Sequence, residues 1–174
     1  AAVLGSFTLA QLNTAISDSN IGITLGTEQA STSGTAIDFT GIPAGTKRII
    51  INLKGVSTNG TSAFLIQIGD AGGIETSGYS SGAQPGGAFT ESTAGFILIS
   101  TLGATLVSHG AIILCLENSS SFSWVSAGII YEAGGILSYS AGSQSLSAEL
   151  DRVRITMVNG IDTFDAGAIN ISYE

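Results

Sequence analysis

The chain has very little of what most enzymes and nucleic-acid-binding proteins are built around. Its 174 residues include one cysteine and one histidine, which excludes an internal disulfide and a histidine-rich metal site. Charged residues make up 10% of the sequence, against about 25% in an average soluble domain. Five basic residues stand against 13 acidic ones, and the net charge of −8 argues against binding to nucleic acid or an anionic membrane. No apolar run reaches the roughly 18 residues of a membrane-spanning helix, so we expect no membrane insertion.

Small polar residues and short apolar runs make up the rest of the sequence. The 24 glycines and a similar number of serines separate the apolar segments, while hydrophobic residues still reach 44%. This apolar content is too high for a disordered chain, and the spacing is typical of an all-β domain with many turns. The sequence therefore predicts an antiparallel β-sandwich of jelly-roll-like architecture with about 9–11 strands. The sandwich domain is expected to span residues 21–174.

Residues 1–20 differ from the rest and are predicted to form a lead-in segment. Thr8 and Gln11 have the spacing of a capping box. Three apolar residues lie three or four positions apart and would share one helical face: Leu9, Leu12 and Ile16. The pattern predicts a short N-terminal helix, with an ordered β lead-in as the alternative.

Alternation of apolar and polar residues predicts the strands from residue 21 onward. The predicted strands are residues 23–27, 36–40, 48–56, 64–68, 95–100, 111–117, 124–131, 136–139, 153–158 and 168–173. Two runs, residues 96–99 and 112–116, are apolar at successive positions and so on both faces of a strand. A small monomeric sandwich normally leaves one face of each sheet in water. We therefore expect a second layer or a partner subunit, and the low charge favours a homo-oligomer.

The longest stretch without periodicity is residues 70–92, a glycine-rich segment predicted to be a functional or mobile loop. Tyr79 lies in it and is expected to be exposed, because no periodicity would bury it. An exposed tyrosine beside serine and glycine combines an apolar plane with adaptable hydrogen bonds, which suits glycans or proteins. The candidate receptor-binding residues are Asp70, Glu75, Tyr79 and Tyr139. Trp124 is interpreted as closing the edge of the core, whereas for Tyr131 both a place at the core edge and a binding role are considered.

Neither the histidine nor the cysteine indicates catalysis. His109 would need a serine and an oriented carboxylate to act as a base in a triad, and no Gly-x-Ser-x-Gly sequence is present. It is interpreted as a residue at the edge of a strand. Cys115 lies in the middle of an apolar strand and is predicted to be a small buried hydrophobic residue.

The carboxylates are few and scattered. Asp70 and Glu75, or Asp162 and Asp165, could supply oxygen ligands to calcium, but neither pair has the EF-hand pattern. A glycosidase would need two carboxylates about 5–10 Å apart, which sequence cannot establish. We predict no catalytic residues, no cofactor and no metal.

Several runs resemble a module found in tail-fibre and other tail proteins of tailed bacteriophages and prophages. They are residues 33–49 (SGTAIDFTGIPAGTKRI), 55–62 (GVSTNGTS) and 67–70 (QIGD). The closing residues 164–174 (FDAGAINISYE) resemble the C-terminal end of such proteins, and residues 8–18 resemble the segment that often precedes the module.

The resemblance implies a component of the virion, namely a trimeric, β-rich fibre tip on the extracellular side of a phage tail. Such a tip would recognise a host-surface glycan or outer-membrane protein without catalysis, through loops such as residues 70–92. Its partners would be copies of itself and other virion proteins. The alternative is a purely structural virion protein, either a capsid decoration or a tail-assembly module. A third possibility is a glycan-cleaving fibre domain that uses one of the scattered carboxylates, Glu91 included. The family carries over no catalytic or binding residue.

Overall fold

The part of the chain that the structure describes contains fourteen β-strands, all paired antiparallel. A computed structural model of the chain describes residues 8, 9, 11, 22–87, 89–99, 103–104 and 106–174. In chain order the strands are β1 (Thr24–Leu25), β2 (Gln29–Ala30), β3 (Ala36–Thr40), β4 (Arg48–Thr58), β5 (Phe64–Asp70), β6 (Gly73–Ile74), β7 (Ser80–Pro85), β8 (Thr90–Ser92), β9 (Phe96–Ile97), β10 (Ser108–Asn118), β11 (Ser123–Glu132), β12 (Ile136–Ser145), β13 (Arg152–Met157) and β14 (Phe164–Tyr173). Nine strands have five or more residues, in agreement with the predicted number of about 9–11.

The strands form two packed sheets. The large sheet has the order β1-β14-β4-β10-β11-β12-β7-β8, with β2 also paired to β14. The small sheet has the order β3-β13-β5-β6, with β9 paired to β5. The chain crosses repeatedly between them: β3, β5 and β13 lie in the small sheet, whereas β4, β10 and β14 lie in the large one. Two antiparallel sheets packed together confirm the predicted all-β sandwich.

The strands predicted from alternating β-branched residues are present. In β4, Ile49, Ile51 and Leu53 are buried between the sheets, while Asn52 and Lys54 point outward into solvent. A bulge interrupts the pairing of β4 with β14, where Gly167 has a φ of +93°. A Cβ atom at position 167 would lie 2.3 Å from the carbonyl oxygen of Gly55, so only glycine fits there.

The prediction that residues 70–92 form a loop is wrong, because this segment contains the three strands β6, β7 and β8. β7 pairs with β12, and β8 pairs with β7, so both strands belong to the large sheet and β8 forms one edge of it. The burial of β7 does alternate, but through Ser81, Ala83 and Pro85 rather than through bulky residues. The second half of β12 was missed for the same reason. Small residues are needed here: a Cβ atom at Gly142 would lie 2.9 Å from the Phe96 ring.

The described part of the lead-in segment agrees with a capping box. The Thr8 N–H donates to Gln11 Oε1 at 2.9 Å, and the Gln11 N–H donates to Thr8 Oγ1 at 3.2 Å. Leu12 and Ile16, and with them the body of the predicted helix, lie outside the described residues. Within the described ranges, no helix has the length and apolar character needed to cross a membrane.

Candidate functional site

The four predicted receptor-binding residues are divided between two places. Asp70, Glu75 and Tyr79 lie around the end of β5 and the segment before β7, whereas Tyr139 lies on the outer face of β12. Tyr79 and Glu75 are in contact, since the tyrosine hydroxyl lies 3.1 Å from the Glu75 carbonyl oxygen. The structure therefore does not assemble all four into a single site.

Tyr79 is a core residue, so its predicted exposure is wrong. Its side chain is 2% exposed and packs edge-on against Phe96, with ring centroids 5.0 Å apart. The hydroxyl oxygen accepts a 2.8 Å hydrogen bond from the Ile68 N–H, and the carbonyl oxygens of Ile68 and Glu75 lie within reach of its hydrogen. Burial raises the pKa of Tyr79. A ring held in this way cannot contact a receptor.

Asp70 is also buried, which removes it from the predicted binding surface. It is 2% exposed and accepts hydrogen bonds from the Ser147 hydroxyl at 2.7 Å and from the N–H groups of Ser147, Ala148 and Gly72. The Ser147 hydroxyl, followed by the Gly72 N–H, holds the pKa of Asp70 below its ordinary value. The carboxylate thus ties the end of β5 to the segment that follows β12.

Glu75 and Tyr139 keep some accessibility. The Glu75 side chain is half-buried, and its N–H donates to the carbonyl oxygen of Ile68 at 3.0 Å. Tyr139 is exposed and faces solvent between Ile129 and Gln84 in the cross-strand register. A receptor contact by either residue stays a prediction.

The residues considered for catalysis or for the core fall in different environments. His109 is exposed on β10 and accepts a 3.2 Å hydrogen bond from the Gly55 N–H through Nδ1, with no serine or carboxylate bonded to the ring in the described part of the chain. Trp124 is buried, as expected. Cys115 was predicted to be buried but is half-buried, and Tyr131, for which both the core edge and a binding role were considered, is exposed. Both point outward because the alternation of their strands turns Leu114 and Ile130 inward.

The scattered carboxylates serve as loop anchors. Asp162 accepts a 3.0 Å hydrogen bond from the Ser62 N–H, and Asp165 accepts one from the Ser57 hydroxyl. Among the residues that the structure describes, no three histidine, cysteine or acidic side chains converge in a way that could hold a metal ion.

An open groove of about 560 Å³ lies along β7 and β8, the edge of the large sheet. Phe89, in the turn that precedes β8, is 68% exposed. A Cβ atom at Gly82 would come within 3.0 Å of the Phe89 ring, so the ring lies directly over this glycine. Glu91 is opposite Gly82 in the register. Ser80 and Ser143, which pair across β7 and β12, add two exposed hydroxyl-bearing residues.

The groove combines an apolar plane with hydrogen-bonding groups on a rigid sheet. The Phe89 ring can stack against an apolar ligand face, while the serine hydroxyls can donate or accept hydrogen bonds and the Glu91 carboxylate accepts them. A ligand that carries both C–H faces and hydroxyl groups, such as a saccharide, meets these requirements. Ser80, Gly82 and Ser143 of the groove lie on paired strands, which limits the ordering cost of binding on that side.

Sequence reasoning selected the right segment for this groove but the wrong aromatic residue. Tyr79 and Phe89 both lie among glycines, and neither shows periodicity. The useful signal was the Pro85-Gly86-Gly87 sequence before Phe89, which indicates a turn, and the chain after this turn places the Phe89 ring over Gly82 of β7. Comparison of the chain with protein-family models, curated proteins and solved structures gave no match.

Proposed function

We propose that the chain is a non-catalytic module of a bacteriophage tail fibre or tail tip that binds a host-surface glycan or outer-membrane protein. The resemblance of residues 33–70 and 164–174 supports a role in the virion. The observation that carries receptor binding is the β7–β8 groove, where Phe89 is exposed beside hydroxyl groups and the Glu91 carboxylate. The groove would lie on the extracellular side of the phage tail.

The proposal includes a homotrimer that contacts other virion proteins. A shallow groove gives weak binding at one site, because it buries little of its ligand. Three copies in one fibre tip, and several fibres on one virion, would combine weak sites through their effective concentration. Strong attachment then requires no deep pocket.

Replacing Phe89 with serine tests the groove. Phe89→Ser removes the stacking plane without touching the core, so binding to host cells and to purified surface polysaccharides should weaken about tenfold or more, as for an aromatic anchor at an interface. Ile161→Ser is the matched control: Ile161 is 76% exposed but lies after β13, away from the groove, and this variant should bind normally. Undiminished binding by Phe89→Ser would remove the groove from the proposal.

A purely structural virion role is the second candidate, and the exposed apolar face of β10, β11 and β12 favours it. A capsid decoration or tail-assembly module would use that face to attach to its neighbours in the particle. It predicts binding to virus particles and none to host cells. The same cell-binding assay therefore separates the two functions.

A further inference from the structure

The outer face of the large sheet carries a continuous apolar surface where three long strands lie side by side. Six large side chains on it are 40–56% exposed: Ile113, Val125, Ile129, Tyr131, Leu137 and Tyr139. Their inward-facing neighbours on the same strands fill the core, as Ile112 and Ile130 do. Large apolar residues thus lie on both faces of β10, and the outer face of all three strands is open to solvent. We name the exposed surface the outer patch.

The register of the strands brings these side chains together. One row across β10, β11 and β12 is Ile113, Ala127 and Ala141, and the next row is Ala111, Ile129 and Tyr139. Rows lie about 7 Å apart along a strand, and neighbouring strands about 4.8 Å apart. The outer patch is therefore one continuous area with no intervening polar row.

Charge is almost absent from the outer patch. Within β10, β11 and β12 the acidic residues are Glu117, near the end of β10, and Glu132, which is buried and accepts a 2.6 Å hydrogen bond from the Gly103 N–H. The whole chain carries a net charge of −8. Two copies would repel one another through most surfaces, but not through this one.

The shape of the outer patch suits a second copy of itself. A hollow of about 490 Å³ lies over Ala127 and is bordered by Ile113, Ile129 and Tyr139. The same face thus offers both projecting side chains and a recess that can accept them, as contacts between copies arranged around a symmetry axis require. An exposed apolar area that extends over three neighbouring strands marks an interaction site, and a stable interface takes roughly 800 Å² from each partner.

We infer that the outer patch is the interface between copies of this chain. The inference rests on the homo-oligomer included in the proposed function and assigns its contact surface. In the assembly, Ile129 and Tyr139 of one copy enter the hollow of another. The β7–β8 groove adjoins the patch, since Ala141 of the first row pairs with Gly82 of the groove. Oligomerisation would leave the groove at the rim of the interface, open to a receptor.

A charge placed at the centre of the outer patch tests the interface. Light scattering should give the unmodified chain a mass of three times 17.5 kDa and the Ile129→Glu chain a mass of 17.5 kDa. Ile129 faces solvent in β11, so this variant should keep its β-sheet circular dichroism. Ile161→Glu, the same change on an exposed turn, should leave the mass unaltered. Tyr139→Ser provides a second variant, which adds no charge and should also shift the mass toward the monomer.

The outcomes separate the inference from the proposal beneath it. An assembly that survives both Ile129→Glu and Tyr139→Ser would overturn the outer patch as the interface while leaving the homo-oligomer intact. An unmodified chain that stays monomeric at high concentration would overturn both. A dimer that Ile129→Glu dissociates would support the interface and contradict the trimer. Binding at a single groove is measured separately, on the Ile129→Glu chain with and without Phe89→Ser.

Discussion

Two runs of apolar residues, 96–99 and 112–116, look alike in the sequence and end in different environments. Every residue from Phe96 to Ile99 is buried. Along β10, by contrast, Ile112 and Leu114 are buried while Ile113 is exposed and Cys115 half-exposed. The first run is covered on both sides by its own chain. The second is covered on one side only.

Position between the sheets explains the difference. β9 pairs with β5 in the small sheet. The same segment also contacts the large sheet, because the Ile97 N–H donates a 2.9 Å hydrogen bond to the Ser81 hydroxyl and the Ser138 hydroxyl donates one of 2.7 Å to the Leu98 carbonyl oxygen. The segment therefore joins the two layers and is enclosed by them. β10 lies in the middle of the large sheet, so only its inner face has a second layer. An uninterrupted run of apolar residues indicates a strand with both faces covered, but it does not indicate whether the covering residues belong to the same chain or to another copy.

The largest expected effects are on stability within the core. Leu98→Ala and Ile99→Ala should each lower the free energy of unfolding by about 2–5 kcal/mol, because both side chains are fully buried. Ile112→Ala should cost a similar amount. Denaturant unfolding of the three variants measures this. A loss below about 1 kcal/mol at either Leu98 or Ile99 would contradict the two-sided enclosure of that run.

The Asp70 anchor should give a smaller effect that depends on pH. Asp70→Asn replaces a carboxylate that accepts hydrogen bonds from Ser147, Ala148 and Gly72, and should cost about 1–3 kcal/mol at pH 7. Because folding lowers the pKa of Asp70, its contribution is complete above the unfolded value of about 3.9 and is lost as the pH falls through the folded pKa. The difference in unfolding free energy between the two chains should therefore shrink below about pH 4. A difference that grows in acid would contradict the anchor.

The smallest effect on folding is expected at Ile113, the neighbour of Ile112. In the Ile129→Glu background, where copies are separated, Ile113→Ala should change the free energy of unfolding by less than about 1 kcal/mol, as at other surface positions. In the otherwise unmodified chain it should weaken self-association, seen as a fall in mass on dilution. Equal costs at Ile112 and Ile113 in the monomer would show that β10 is covered on both faces within one chain.

The strands that could be predicted from the sequence are those that contain large apolar side chains. Large apolar residues mark β3, β4, β5, β10, β11, β13 and β14, either in alternation with polar ones or in short runs, and the positions of these strands were found to within a few residues. β7 and the second half of β12 were missed, because serine, alanine and glycine form the alternation there and such residues also typify turns.

The candidate site was less predictable than the fold. Tyr79 and Phe89 are both aromatic residues among glycines, and only the path of the chain decides that one ring enters the sandwich and the other lies on its edge. Asp70 gave no signal of its anchoring role, since Ser147 and Ala148 come from a distant part of the sequence. The type of a residue indicates which contacts its side chain can make, whereas the topology of the fold decides which residues it meets.

Thiol labelling of Cys115 is the most direct test that other copies cover the outer patch. This cysteine is the only one in the chain and lies beside Val125 on the outer face of the large sheet, half-exposed in a single copy. A maleimide reagent should label it several times more slowly in the native unmodified chain than in the folded Ile129→Glu chain. Equal labelling rates in the two chains would show that the outer patch is open to solvent in the native assembly, and would contradict the account.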